Sequence, residues 1–369
     1  MEEYHNNSYA DSLAAVYEEE VLAAHQKAFK VGNLTKKISL ALQGGGAHGA
    51  FTWGVLEKIL EDGRIEIEAL CGTSAGAMNA VVVAYGLQSG GRQGAIDLLE
   101  KFWRKISRHQ HFSLLQPSFI DKRLANGRLD YSPIYQMFDF YSMLFSPYQF
   151  NPMDYNPLRN TLLELIDFDK LKEFKALKLF VCATNVRTSR AKVFDISEMS
   201  VDAVLASACL PFLFKAVEID GEHYWDGGYM GNPPIFPLID GAESADILLI
   251  QINPIKIDKV PQSAEEIRDR VNTLSFNSSL MHEMRRVNFV QKMLADGYNM
   301  HGILRNLRIH NINPEAALGR LSVATKMNAD WTFLQKLRRL GHAMAEDWLR
   351  DHFQDIGVTS SCDVKEIFL

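Results

Sequence analysis

Paired cysteines are missing. The four cysteines, Cys71, Cys182, Cys209 and Cys362, lie far apart in 369 residues and form no Cys-x-x-Cys pair, so neither a disulfide framework nor a zinc ribbon is expected. Long hydrophobic runs are missing too. The longest apolar stretch, around Ala80 to Leu87, falls far short of the ~20 residues that a membrane-spanning helix needs. The start, Met1-Glu2-Glu3-Tyr4-His5, has neither the basic nor the apolar region of a secretory signal, and the expectation is a cytoplasmic protein. Positive charge is in deficit: 39 Lys and Arg against 45 Asp and Glu leave a net charge of −6. With no long basic run, there is no electrostatic footprint for nucleic acid. No internal repeat and no cluster of metal-ligating residues is visible, so neither a metal nor another cofactor is expected.

What is present is the composition of a globular protein, with 47% hydrophobic and 23% charged residues. At ~150 residues per domain the length suits two or three domains or one large α/β domain. A helical pattern from Leu13 to Phe29 suggests a peripheral helix in an N-terminal extension, residues 1–35. Ile38 to Leu42 reads as a short buried strand, Ala47 to Leu60 as a helix ended by Asp62-Gly63, and Ile65 to Leu70 as the next strand. Ala77 to Leu87 is apolar nearly all round, the mark of a buried helix. Strand, helix, strand, helix at this spacing indicates a βαβ unit and a parallel sheet.

Gln88-Ser-Gly-Gly-Arg92 reads as a linker before a helix from Ala95 to Ile106. Tyr131 to Phe150 holds eight aromatics in twenty positions, which sets 111–160 apart as an insertion. Two readings of it stand: a lid or acyl-chain contact surface, or a cap whose aromatics are core. Strand patterns return at Leu177 to Ala183 and Ala191 to Phe194, a helix at Val201 to Ala208, a hairpin around Asp220-Gly221, and an apolar strand at Asp246 to Ile252. Beyond Ser263 the pattern is mainly helical, with a short strand at Leu307 to Ile312 and a C-terminal helical extension, 326–369.

Three elements carry chemistry. Gly72-Thr73-Ser74-Ala75-Gly76 matches Gly-x-Ser-x-Gly, the sharp strand-to-helix turn that lifts a nucleophilic serine clear of its neighbours at the positive end of a helix dipole. Gln43-Gly44-Gly45-Gly46-Ala47-His48-Gly49 is a second turn. Its successive backbone N–H groups suit an anion nest, and oxyanion donors of this kind each lower an acyl-transfer barrier by roughly 3 kcal/mol. The same letters satisfy a dinucleotide fingerprint through Gly44, Gly46 and Gly49, but the following strand runs straight into the serine turn, which a nucleotide site does not need. The third element is Tyr224-Trp225-Asp226-Gly227-Gly228-Tyr229, at the end of the hairpin and before Asn232-Pro233-Pro234.

Together these elements resemble the patatin-like phospholipase family: a strand, a Gly-Gly-Gly-x-x-Gly loop, Gly-x-Ser-x-Gly, then a distant Asp-Gly-Gly. Gly46 and Ser74 are 28 residues apart, and Asp226 lies 152 residues beyond Ser74. Ala206-Ser207-Ala208-Cys209-Leu210-Pro211 also looks like the family's Ala-Ser-x-x-x-Pro segment. The resemblance covers about Lys37 to Ile252. It implies a three-layer α/β/α fold with a mainly parallel central sheet and added helices, in a catalytic domain over 36–325. It also implies a lipid acyl hydrolase with a Ser–Asp dyad, Ser74 as nucleophile and Asp226 as base. Gly44, Gly45 and Gly46 would form the oxyanion hole, with Gly72, Gly76, Gly227 and Gly228 flanking the motifs. The implied partner is a lipid or other ester, with peripheral membrane contact and oligomeric state left open. His48 departs from the Arg or Lys that many members carry in the oxyanion loop.

A Ser-His-Asp esterase is an alternative, since His282, His301, His310, His342 and His352 follow Asp226 in the chain. A catalytically quiet, partner-binding protein on the same fold is another. An unperturbed Asp is a feeble base at neutral pH, so a dyad requires that Asp226 be desolvated. Tyr224, Trp225 and Tyr229 are the expected walls.

Overall fold

A computed structural model describes residues 35–110, 145–298, 304–319 and 321–369. The expected helix at Leu13 to Phe29 and most of the 111–160 insertion lie outside the described residues.

Eight strands form one sheet: β1 (Lys36–Leu42), β2 (Ile65–Thr73), β3 (Lys178–Asn185), β4 (Ala191–Asp195), β5 (Val217–Ile219), β6 (Glu222–Asp226), β7 (Asp246–Ile250) and β8 (Arg308–Ile312). Their order is β5-β6-β3-β2-β1-β7-β8, with β4 also paired to β3. The central strands β3, β2, β1, β7 and β8 run parallel. The β5–β6 hairpin and β4 join β3 antiparallel.

The principal helices are α1 (Gly49–Asp62), α2 (Ala75–Gln110), α3 (Pro157–Leu165), α4 (Val201–Ser207), α5 (Ala264–Ala295) and α6 (Trp331–His352). Because side chains alternate along a strand, β1 feeds two cores. Ile38, Leu40 and Leu42 pack with Phe51 and Trp53 of α1, Val81 of α2 and Leu334 of α6. Ala41, on the opposite face, packs with Cys71 of β2, Leu249 of β7, and Leu280 and Met284 of α5. The sheet is covered on both faces, so its inner strands read as continuous apolar runs. This is a mixed α/β, three-layer fold with a mainly parallel sheet.

The expected linker at Gln88 to Arg92 holds the break in α2: Gly90 and Gly91 leave helical geometry, and Ala75–Gln110 is two helices folded back on each other, with Trp103 Nε1 donating to Asn79 Oδ1 at 3.0 Å. The C-terminal stretch is woven into the core. Gly54 of α1 and Gly341 of α6 face across the helix crossing, where a Cβ on Gly54 would lie 1.9 Å from the Arg338 carbonyl oxygen and one on Gly341 would lie 2.0 Å from that of Phe51. The buried Glu57 pairs with Arg338 beside this contact, and Lys36 of β1 donates to the carbonyls of Phe353, Gln354 and Ile356. Among the described residues no helix is long and apolar enough to cross a membrane.

Candidate active site

The parallel strands end together, and the loops after β1, β2, β6 and β7 meet there. β2 continues through Thr73, so Ser74 occupies the single step between strand and helix. Ser74 has φ +54°, the left-handed region where a non-glycine residue stores of order 1–3 kcal/mol of strain. Fixed contacts hold it there. Its N–H donates to Ser207 Oγ at 2.9 Å, and its carbonyl accepts from Met78 N at 3.1 Å in the first turn of α2. Thr73 Oγ1 donates to the Gly231 carbonyl at 2.6 Å. The turn tolerates no bulk at Gly76, where a Cβ would lie 2.2 Å from the Leu42 carbonyl oxygen. Ser74 is half-buried.

Asp226 ends β6 and is fully buried. Its own N–H donates to the Cys209 carbonyl at 2.8 Å, and its carbonyl accepts from Thr184 Oγ1 at 2.8 Å. Oδ1 accepts the Gly228 N–H at 2.7 Å. Oδ2 is buried with no hydrogen bond of ordinary length and angle among the described residues. Burial pushes the carboxyl up to about 7, opposed by the Gly228 N–H, the neighbouring Ser74 side chain and the positive charge of Lys326. The serine and the carboxyl are therefore adjacent. Catalytic hydrogen bonds commonly tighten only when substrate binds.

The glycine turn lies against this pair. A Cβ on Gly44 would come within 2.8 Å of Ser74 Cβ. The turn is held by buried amides. Gly44 N donates to Asn232 Oδ1 at 2.7 Å, and the Gly44 carbonyl accepts from Asn253 Nδ2 at 2.7 Å. Gln43 Oε1 accepts the N–H groups of Ile252 and Asn253, each at 2.8 Å. Of the three glycines expected to donate to an oxyanion, Gly44 has its N–H directed at Asn232. The N–H groups of Gly45 and Gly46 make no such bond among the described residues. Gly46, at φ +59°, is exposed.

The turn's histidine is no base. His48 is buried, its Nε2 lies 2.8 Å from Thr325 Oγ1, and burial together with the Lys326 charge lowers its pKa to about 3. The later histidines point elsewhere: His310 to Asp246, His342 to Glu61 and His352 to Asp355, while His282 lines a groove beside α5. His301 is outside the described residues. No imidazole hydrogen-bonds Ser74 or Asp226 among the described residues, and none of those residues form a group of three metal-ligating side chains.

Several site residues carry no motif. Gln43, Asn232 and Asn253 are single amides, and Gln43 and Asn253 meet because β1 and β7 are neighbours. Glu283 of α5 accepts the N–H groups of Ile235 and Phe236 at 2.7 and 2.9 Å, fixing the segment after Asn232-Pro233-Pro234, and burial pushes its carboxyl up to about 7. Lys326 stands in a 3-10 turn, Val323–Met327, against the glycine turn.

The family model described as "Patatin-like phospholipase" matches residues 40–239, more than half of the chain and the whole span from the glycine turn past Asp226. The chain belongs to the patatin-like phospholipase family. Among solved structures, VipD from Legionella pneumophila is similar at 16% identity, covering 83% of this chain and 67% of that one with a TM-score of 0.33. No curated protein matches. The family is typically one of hydrolases that act on lipids, and this site fits that class.

Proposed function

We propose that this patatin-like protein is a lipid acyl hydrolase, of phospholipase A or carboxylesterase type, in which Ser74 and Asp226 form a catalytic dyad. The observation that carries the reading is the buried Asp226 carboxyl, raised to about 7 and placed beside a serine on a strained strand-to-helix turn. A serine hydroxyl needs a base to take its proton, and a base works best with a pKa near the working pH.

In the proposed cycle Asp226 Oδ2 takes the Ser74 proton as Oγ attacks the ester carbonyl. The N–H groups of Gly45 and Gly46 receive the oxyanion. Asp226 returns the proton to the leaving alcohol or lysolipid, and the acyl group stays on Ser74. Water then gives a proton to Asp226 and attacks the acyl-serine, and Asp226 passes that proton to Ser74 Oγ as the fatty acid leaves. Gly228 N–H holds Oδ1, which leaves Oδ2, without a hydrogen-bond partner among the described residues, as the oxygen to take the proton.

The test is hydrolysis of p-nitrophenyl esters and phospholipid vesicles by wild type, Ser74→Ala and Asp226→Asn. Loss of a positioned base costs about 10²–10⁴-fold, so Asp226→Asn is expected to fall within that range and Ser74→Ala at or below it. Equal rates in all three would remove the dyad. Absence of turnover on every ester, with a tight protein partner instead, would favour the quiet-scaffold reading.

A further inference from the structure

The glycine turn carries no cation of its own, since His48 is neutral, yet a cation stands against it. The 3-10 turn Val323–Met327 packs on Gly46 so closely that a Cβ there would lie 2.4 Å from the Lys326 carbonyl oxygen and 3.3 Å from Lys326 Cβ. Lys326 Nζ donates to Asn253 Oδ1 at 2.7 Å, and the same amide donates through Nδ2 to the Gly44 carbonyl at 2.7 Å. The ammonium also lies 6.0 Å from the centre of the Phe276 ring, which packs against Gly228 beside Asp226. Lys326 therefore bridges the glycine turn and the aspartate loop.

We propose that Lys326 is the positioning cation of the active site. It fixes the oxyanion loop through Asn253, and its charge favours the two anionic states of the cycle, ionised Asp226 and the tetrahedral oxyanion. The inference rests on the Ser74–Asp226 reading and adds a residue to it from outside the matched span, 40–239.

The surroundings of the ammonium fit this role. Its hydrogen bond among the described residues goes to a neutral amide. Two carboxylates act on it through space, Asp269 of α5 and Asp226. Asp269 Oδ2 accepts the Val323 N–H at 2.9 Å and so anchors the start of the same turn. From the glycine turn, His48 faces it uncharged, and its own titration is depressed by the Lys326 charge. Burial lowers the lysine to about 8, while its charge lowers Asp226. The two directions define a window. Asp226 gains its active, ionised form as pH rises through about 7, and Lys326 loses its charge as pH rises through about 8.

The experiment is a pH–rate profile on a neutral p-nitrophenyl ester for wild type, Lys326→Met, Lys326→Arg and Ser74→Ala. The labelling rate of Ser74 by a neutral fluorophosphonate serves as a second readout. Wild type is expected to show a rise near pH 7 and a fall near pH 8. Lys326→Met is expected to lose the fall, shift the rise upward and lose about 10- to 100-fold in kcat with KM little changed. Lys326→Arg keeps its charge beyond pH 12 and is expected to recover most of kcat with no falling limb. If Lys326→Met unfolds, the missing limb in Lys326→Arg still carries the test.

A Lys326→Met profile superimposable on wild type would overturn the inference. So would a loss confined to anionic phospholipid vesicles, which would make the lysine a head-group contact. Wild-type rates in Ser74→Ala would instead remove the dyad itself.

Discussion

In the proposed dyad Asp226 carries both the base and the cost of burying it. In the unfolded chain its pKa is near 3.8 and in the fold it is about 7. The raised value means that the folded protein holds a proton the unfolded chain has lost. This contribution to stability is fully present below about pH 4 and is lost as pH rises through 7. Above pH 7 the buried carboxylate that the mechanism needs works against folding. Asp226→Asn is therefore expected to be more stable than wild type at pH 8, by up to about 4 kcal/mol, with the gain shrinking towards pH 4. Urea denaturation at the two pH values checks it; a gain that does not change with pH would show that Asp226 is not the source. Glu283, also raised to about 7, pulls wild type and variant in the same direction and drops out of the comparison.

At this scale the sequence reveals some residues and hides others for one physical reason. Ser74, Asp226 and the glycine turns stand out because backbone that must be tight writes strings of glycine. Gln43, Asn232, Asn253 and Lys326 are single polar residues with no spacing rule. Gln43 and Asn253 meet only because β1 and β7 pair in parallel across some two hundred residues of chain. The same gap explains Gly44: nothing near it in sequence shows that its N–H is taken by Asn232.

Elements were legible where their burial is simple. The strand at Ile38 to Leu42, the β5–β6 hairpin around Asp220-Gly221 and the strand at Asp246 are continuous or alternating apolar patterns closed by turn residues, and each is present. Gln88 to Arg92 is legible for the same reason: adjacent glycines free the backbone, and at Gly90 and Gly91 the chain leaves helical geometry and folds the second helix back on the first. The α1–α6 crossing was invisible, because it depends on two glycines nearly three hundred positions apart. It makes an expectation that helix propensity alone would reverse. An exposed helical Gly→Ala change gains ~1 kcal/mol. At Gly341 the added methyl would meet the Phe51 carbonyl oxygen at 2.0 Å, and overpacking costs about 1–3 kcal/mol. Gly341→Ala should lower the denaturation midpoint, and a raised midpoint would show that the crossing can open without cost. Because α6 is carried on α1, which follows the glycine turn directly, a loss of activity larger than the loss of folded protein is also expected.

The whole molecule follows from a parallel sheet whose strand ends converge. The loops that carry the glycine turn and Ser74 leave the parallel strands there, and a parallel sheet with both faces covered leaves its loop ends as the place for a cleft. The order of the strands brings Ser74, Asp226, the glycine turn and Lys326 together from positions 44 to 326. The fold class was legible because strand–helix alternation with apolar strands admits few arrangements. The position of the C-terminal stretch was not, because an amphipathic helix such as α6 shows which face it buries but not against what. The central claim is that one serine becomes a nucleophile through one carboxyl. It is tested most directly by treating the full chain with a fluorophosphonate and mapping the adduct by peptide mass spectrometry. The expected result is a single adduct on Ser74, absent from Ser74→Ala and formed at least about 100-fold more slowly in Asp226→Asn. An adduct on a different serine, or undiminished labelling of Asp226→Asn, would contradict it.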